Sequence, residues 1–189
     1  MALAPLLQGE HIRLTAFDPD ADLSVYAGWY NDAEFMRLYD AEPANPKNAG
    51  QLKARIDNLL KAKDGFLFAV RRVGDDALIG VLELDGILWA HGVAWISIAL
   101  GDRHNWGKGY GRAAIALALA FAFDELNLHR VQLTVFSYNA RAIALYEGLG
   151  FRREGVYREF LHRDGARHDM LLYGLLAREW RTQRERAAS

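Results

Sequence analysis

The residues richest in chemical content form one short run, Trp106-Gly107-Lys108-Gly109-Tyr110-Gly111-Arg112. It holds three glycines in five residues, between an apolar segment and a long helical one. Glycine lets a backbone turn tightly and come close to a ligand. A helix that starts there presents unpaired N–H groups and the positive end of its dipole. Together these make a phosphate cradle, to which Lys108 and Arg112 add positive charge. The net charge is only −1, so any anion site must be local in this way.

Two common phosphate loops do not fit. A Walker loop needs four residues between its first glycine and Gly-Lys, then Ser or Thr. Here Gly101 to Gly107 encloses five, and Gly109 follows Lys108. Gly109-x-Gly111-x-x-Ala114 does match a dinucleotide fingerprint. That fold requires an acidic residue ~20 positions on, to hold the ribose hydroxyls. The next strand, Arg130 to Phe136, contains none.

Other residues are candidates for proton transfer. Asn139, Ile143 and Tyr146 recur at i, i+4 and i+7, which lines them along one helix face. A tyrosine with pKa ~10 is a proton donor at neutral pH. The same spacing also suits a tyrosine packed in a core. Glu83 and Asp85 share one strand face, as a base or as solvated carboxylates. Whether Trp95 and Ser97 share that face depends on hairpin register, and a slip of one residue reverses the answer. The chain has no cysteine, which removes disulfides, thiolate zinc sites and thiol nucleophiles. Its six histidines lack metal-binding spacing, so no metal site is expected.

The elements that must position these residues read as α+β with a mixed sheet. A strand near Glu10 to Phe17 precedes two helices, the first capped by Asp20 or Asp22 and the second carrying Leu52, Ile56 and Leu59. Phe66–Val73, Ala77–Trp89 and Val93–Leu100 then form an antiparallel meander around Gly74-Asp75 and His91-Gly92. A helix from Arg112 to about Leu126 leads to a strand at Arg130–Phe136, which should run parallel to Val93–Leu100. A helix over Asn139–Gly148, two strands around Asp164-Gly165 and a basic helix complete the chain.

At 189 residues, with 51% hydrophobic and 25% charged residues, the chain suits one globular domain, 1–189. Its start lacks a basic region, and Pro5 and Glu10 interrupt a short apolar stretch, which argues against a signal peptide. The most apolar run, Ala113 to Phe123, is far shorter than the ~20 residues of a membrane span. A cytoplasmic protein without membrane or nucleic-acid partners is expected.

Two segments resemble the GNAT N-acetyltransferases: Ile98 through Ala114, and Asn139-Ala140-Arg141-Ala142-Ile143-Ala144-Leu145-Tyr146-Glu147-Gly148-Leu149-Gly150-Phe151. Trp106 before Gly-Lys-Gly, Asn127 to Val131 and Arg163 to Met170 resemble the branch of ribosomal-protein N-terminal acetyltransferases. Spermidine acetyltransferases share much of that tail. The resemblance implies a mostly antiparallel sheet of about seven strands flanked by helices, with a splayed parallel pair at the cofactor site. It implies an acetyl-CoA core at about 93–151 and acceptor-side helices at about 20–62.

By that resemblance, amides from Gly107 through Arg112, after Trp106, hold the pyrophosphate of acetyl-CoA. The pantetheine arm pairs with Ile98, Ala99 and Leu100, and Asn139 and Ala142 contact it. Tyr146 becomes the acid that protonates the leaving thiolate. Many relatives carry a glutamate base where Trp95 stands, which leaves Glu83 or Asp85 as substitutes. Trp29, Tyr30, Trp95 and Ser97 become candidates for the acceptor site, although Trp29 and Tyr30 equally suit a helix end packed on the sheet. The expected activity is direct transfer of acetyl to a primary amine, with a protein or peptide N-terminus favoured. An α-amine near pKa ~8 needs less help from a base than an alkyl amine near ~10.4. A polyamine or aminoglycoside acceptor and a non-catalytic acyl-CoA-binding module are the alternatives. A homodimer is compatible with this reading, and the sequence does not fix the oligomeric state.

Overall fold

The computed structural model describes residues 7–188, so the apolar start with Pro5 lies outside the described residues. Strand β1 (Ile12–Ala16) leads into α1 (Pro19–Trp29). The cap of α1 is Asp18, not Asp20 or Asp22: its carboxylate accepts the Asp20 N–H at 3.0 Å, and Pro19 takes the first helical position. Asp22 is instead buried and paired with Arg71 at 2.6 Å.

Three helices precede the meander rather than two. The extra one, α2 (Ala33–Tyr39), is capped by Asp32, whose side chain accepts from the Glu34 and Phe35 amides. Its seven residues are too few for a helical period to stand out in sequence. Then α3 (Ala49–Lys61) opens on a reciprocal capping box between Asn48 and Gln51.

The meander is β2 (Phe66–Arg72), β3 (Leu78–Leu88) and β4 (Val93–Leu100). Helix α4 (Tyr110–Ala120) is shorter than its sequence period, because Phe121–Glu125 widens into a π turn. After it come β5 (Arg130–Phe136), α5 (Ala140–Gly148), β6 (Arg152–Arg163), β7 (Ala166–Leu176) and α6 (Ala177–Ala188).

The seven strands form one sheet in the order β1-β2-β3-β4-β5-β7-β6. Every neighbouring pair is antiparallel except β4 and β5. Strand alternation gives each face its own core. On one face Tyr26, Phe35, Leu52 and Ile56 of α1–α3 pack on Leu67, Ala69, Val81 and Ala99. On the other, Ile115, Leu119 and Phe123 meet Phe68, Val70, Leu82 and Ile96. Among the described residues no helix is long and apolar enough to cross a membrane.

The parallel pair is short. Only Val93, Ala94 and Trp95 pair with Arg130, Val131 and Gln132. Beyond them β5 continues along β7 to Phe136, while β4 continues along β3 alone. The two strands diverge, and the gap between them is the largest opening described below.

Where β4 ends, Gly101 allows Trp29 to lie against the backbone. A Cβ at Gly101 would sit 1.9 Å from the indole ring. Gly101→Ala is therefore expected to cost about 1–3 kcal/mol, the usual range for overpacking a filled core. The check is a guanidinium unfolding midpoint at unchanged slope; an unshifted midpoint would mean that Trp29 yields freely.

Candidate active site

Divergence of β4 from β5 opens a cleft of about 630 Å³. Its floor is β4, with Trp95 at one end beside Asp85 and Leu100 at the other beside Trp106. The predicted contacts Ile98, Ala99 and Leu100 all line it. Among the described residues no strand pairs with β4 on the β5 side past Trp95, so that edge offers backbone donors and acceptors to the cleft.

The glycine loop stands at the Leu100 end. Gly107 and Gly109 adopt φ of 74° and 81°, a region in which side chains are strained. Gly109 is the N-cap of α4, and no side chain accepts the helix's first amides. A Cβ on Gly107 or Gly109 would meet nothing within 4 Å, so the loop borders open space. Free helix amides, room beside them and an unpaired strand edge suit a phosphorylated ligand with an extended amide-bearing arm, as in acetyl-CoA. Trp106, Gly107, Gly109, Gly111 and Arg112 line the cleft. Lys108 is exposed outside the lining, and Tyr110 packs against the core.

Tyr146 stands in the cleft wall and is 6% exposed. Its ring meets Phe151 edge-on at 5.8 Å, and its hydroxyl has no protein hydrogen-bond partner among the described residues. Burial alone pushes its pKa up to about 12, so it holds its proton across the neutral range. Asn139 caps α5, accepting the Ala142 N–H at 3.1 Å, which leaves its amide NH₂ free to donate. Asn139, Ala142 and Tyr146 line the cleft, whereas Ile143 turns to the core. The cleft-facing spacing is thus i, i+3 and i+7.

Hairpin register settles the carboxylates. Glu83 pairs with Ser97 and Asp85 with Trp95, so all four share one face. Glu83 is buried and already engaged: it accepts from the Tyr39 hydroxyl at 2.7 Å, with Arg55 Nη2 at 3.7 Å. It does not line the cleft; Asp85 does. A bulge follows Asp85, at Gly86 with φ of 53°. Burial raises the Asp85 carboxyl above its ordinary value, the charges of Glu83 and Asp64 raise it further, and Arg55 opposes them.

Of the predicted acceptor residues, Trp95 and Ser97 line the cleft. Trp29 and Tyr30 do not. They lie in the core beneath α1–α3, and the Tyr30 hydroxyl is 2.8 Å from that of Tyr26. No carboxylate or histidine hydrogen-bonds Ser97 among the described residues, so nothing activates it as a nucleophile.

Sequence reasoning missed the wall formed by Leu38, Tyr39 and Ala41, together with Phe136 and Met170. The Asp32 cap and the apolar residues Phe35, Met36 and Tyr39 are the local signal for α2. The β6–β7 turn closes on this wall: Arg163 donates to the carbonyls of Asp40 and Glu42, both at 2.9 Å, and Asp164 pairs with Arg37 at 2.9 Å.

Known proteins resemble this chain in sequence and fold. The family model described as Acetyltransferase (GNAT) domain matches residues 11–152. YokL, a prophage-derived N-acetyltransferase of Bacillus subtilis (strain 168), is 29% identical over 172 residues, covering 91% of this chain and 93% of YokL. YdaF of the same organism, provisionally named a ribosomal N-acetyltransferase, is 34% identical over 106 residues, 56% of this chain and 57% of YdaF. The crystal structure of spermidine N-acetyltransferase from Vibrio cholerae, in complex with CoA and spermine, superposes with a TM-score of 0.81 at 27% identity, covering 89% of this chain and 97% of that one. With its splayed strand pair, glycine loop and these relatives, the chain belongs to the GNAT family and is an acetyl-CoA-dependent N-acetyltransferase.

Proposed function

We propose that the acceptor is a single α-amine at a protein or peptide N-terminus. One observation carries this: among the described residues Asp85 is the only acidic side chain lining the cleft, and many of the other lining residues, Leu38, Ala41, Trp95, Phe136 and Met170 among them, are apolar. That setting suits one ammonium group beside an uncharged body better than a chain of several cations.

Bound acetyl-CoA supplies an activated acetyl thioester. Asp85 receives the amine proton, directly or through water. The β4 amides left unpaired beyond Trp95 would serve as hydrogen-bond donors to the thioester carbonyl when acetyl-CoA is bound. Tyr146, held protonated in the cleft wall, would be the proton source for the leaving thiolate when acetyl-CoA is bound. Gly107 to Arg112, with Asn139 and Ala142, hold the cofactor. Glu83 fixes Tyr39 and Arg55 rather than meeting the amine.

A polyamine acceptor is the second reading. A recess of about 210 Å³ shares Asp85 and Gly86 with the cleft and is lined also by Asp64 and Glu83. The named activity of the Vibrio cholerae relative favours the same reading.

Following thiol release from acetyl-CoA separates the two. Short peptides beginning with Ser, Ala, Thr or Met should be turned over faster than spermidine or an aminoglycoside. The peptide kcat/KM should rise with pH and level near the α-amine value of ~8 rather than ~10.4. Spermidine turned over as well as the best peptide would overturn the proposal.

Tyr146→Phe should lower kcat by roughly 10² or more while leaving the Kd for CoA nearly unchanged. Equal loss of binding would make Tyr146 a packing residue. The Asp85 carboxyl should titrate, by carbon-detected NMR, above the ordinary aspartate range, and Arg55→Gln should move it higher, because the opposing charge is removed. A carboxylate is the base, so turnover should fall as pH drops through that midpoint. An Asp85→Asn variant of unaltered kcat/KM would remove Asp85 from the mechanism.

A further inference from the structure

Three cations surround the glycine loop, and their partners differ. Lys108 is exposed outside the cleft. Arg112 lines the cleft but donates to the Gly148 carbonyl at 2.7 Å, at the C-terminal end of α5. Arg141 also lines the cleft, and among the described residues its guanidinium has neither an ion pair nor a hydrogen bond. It lies over the Trp106 ring instead, 4.3 Å from the centroid.

Arg141 is in an electrostatically poor position for the protein alone. It is the second residue of α5, where the helix dipole is positive and disfavours a cation. The uncapped N-terminus of α4 adds positive potential on the same cleft. Among the described residues no carboxylate pairs with Arg141, and Asp85, the acidic side chain of the cleft lining, stands at the far end of β4. The side chain is nevertheless held in one place. Trp106 donates its indole N–H to the Leu100 carbonyl at 2.8 Å, which fixes the ring, and the ring fixes the guanidinium. A planar fork of donors held at a cleft mouth, amid positive potential, is built for a phosphate group.

We infer that Arg141, positioned on Trp106, is a phosphate contact of CoA and a determinant of cofactor affinity. The inference depends on acetyl-CoA use and not on the acceptor. Two phosphate sources share this chemistry, the pyrophosphate and the 3′-phosphate of the ribose.

Calorimetric titration with CoA and with 3′-dephospho-CoA tests it without any acceptor. Arg141→Gln should weaken CoA binding about tenfold, the size expected for one charge-assisted contact, and Arg141→Lys should restore part of it. The unliganded melting temperature should stay at the wild-type value, which separates lost contact from lost folding. If the penalty vanishes with 3′-dephospho-CoA, the contact is the 3′-phosphate; if it persists, it is the pyrophosphate. Wild-type CoA affinity in Arg141→Gln would overturn the inference.

Discussion

The separation of β4 from β5 after three residue pairs is the constraint on which the site depends. Unpaired backbone donors and acceptors inside a sheet are costly unless something else meets them. Here they face a cleft that a ligand with its own amides can enter as an added strand. Both diverging strands lead into helices, α4 and α5, whose first residues border the same opening. One break in a sheet thus creates a strand-like binding edge and brings two positive helix ends beside it.

The cleft is electrically divided along β4. Its Leu100 end carries uncapped amides, Arg112 and Arg141. Its Trp95 end carries Asp85, which pairs across the hairpin with Trp95. Burial acts on both groups that we assign to proton transfer, with opposite chemical use. It keeps the Tyr146 hydroxyl protonated, as a donor, and raises the Asp85 carboxyl toward the amine it is to serve. Glu83 sits two residues from Asp85, yet its contacts with Tyr39 and Arg55 make it a tie between β3 and the α2–α3 layer. Its charge still reaches Asp85 and adds to the upward shift.

The cleft walls come from segments far apart in sequence. Arg163 bonds the carbonyls of Asp40 and Glu42, and Tyr138 donates to the Arg37 carbonyl at 2.5 Å. These contacts hold the β6–β7 turn and the β5–α5 junction against the α2 region. Leu38, Ala41 and Met170 therefore share one pocket. Several links end on backbone carbonyls, so they place the chain itself and tolerate variation of the side chains that line the cleft.

The sequence by itself determined the local features. Glycines with forced backbone angles, a strand-to-helix junction and period-two alternation are local properties, and the loop at Trp106–Arg112 and strands β4 and β5 were all legible. So was the helix carrying Tyr146, though not which neighbours face the cleft, since a helix period leaves Ala142 and Ile143 adjacent choices. Only the tertiary structure shows which of Glu83 and Asp85 lines the cleft. Register placed both on the face of Trp95 and Ser97, and packing by Tyr39 and Arg55 then occupied one and left the other at the cleft. It likewise sent Trp29 and Tyr30 into the core and brought Met170 to the wall. Pairing across strands and docking of distant turns are non-local contacts, and no spacing within one segment encodes them.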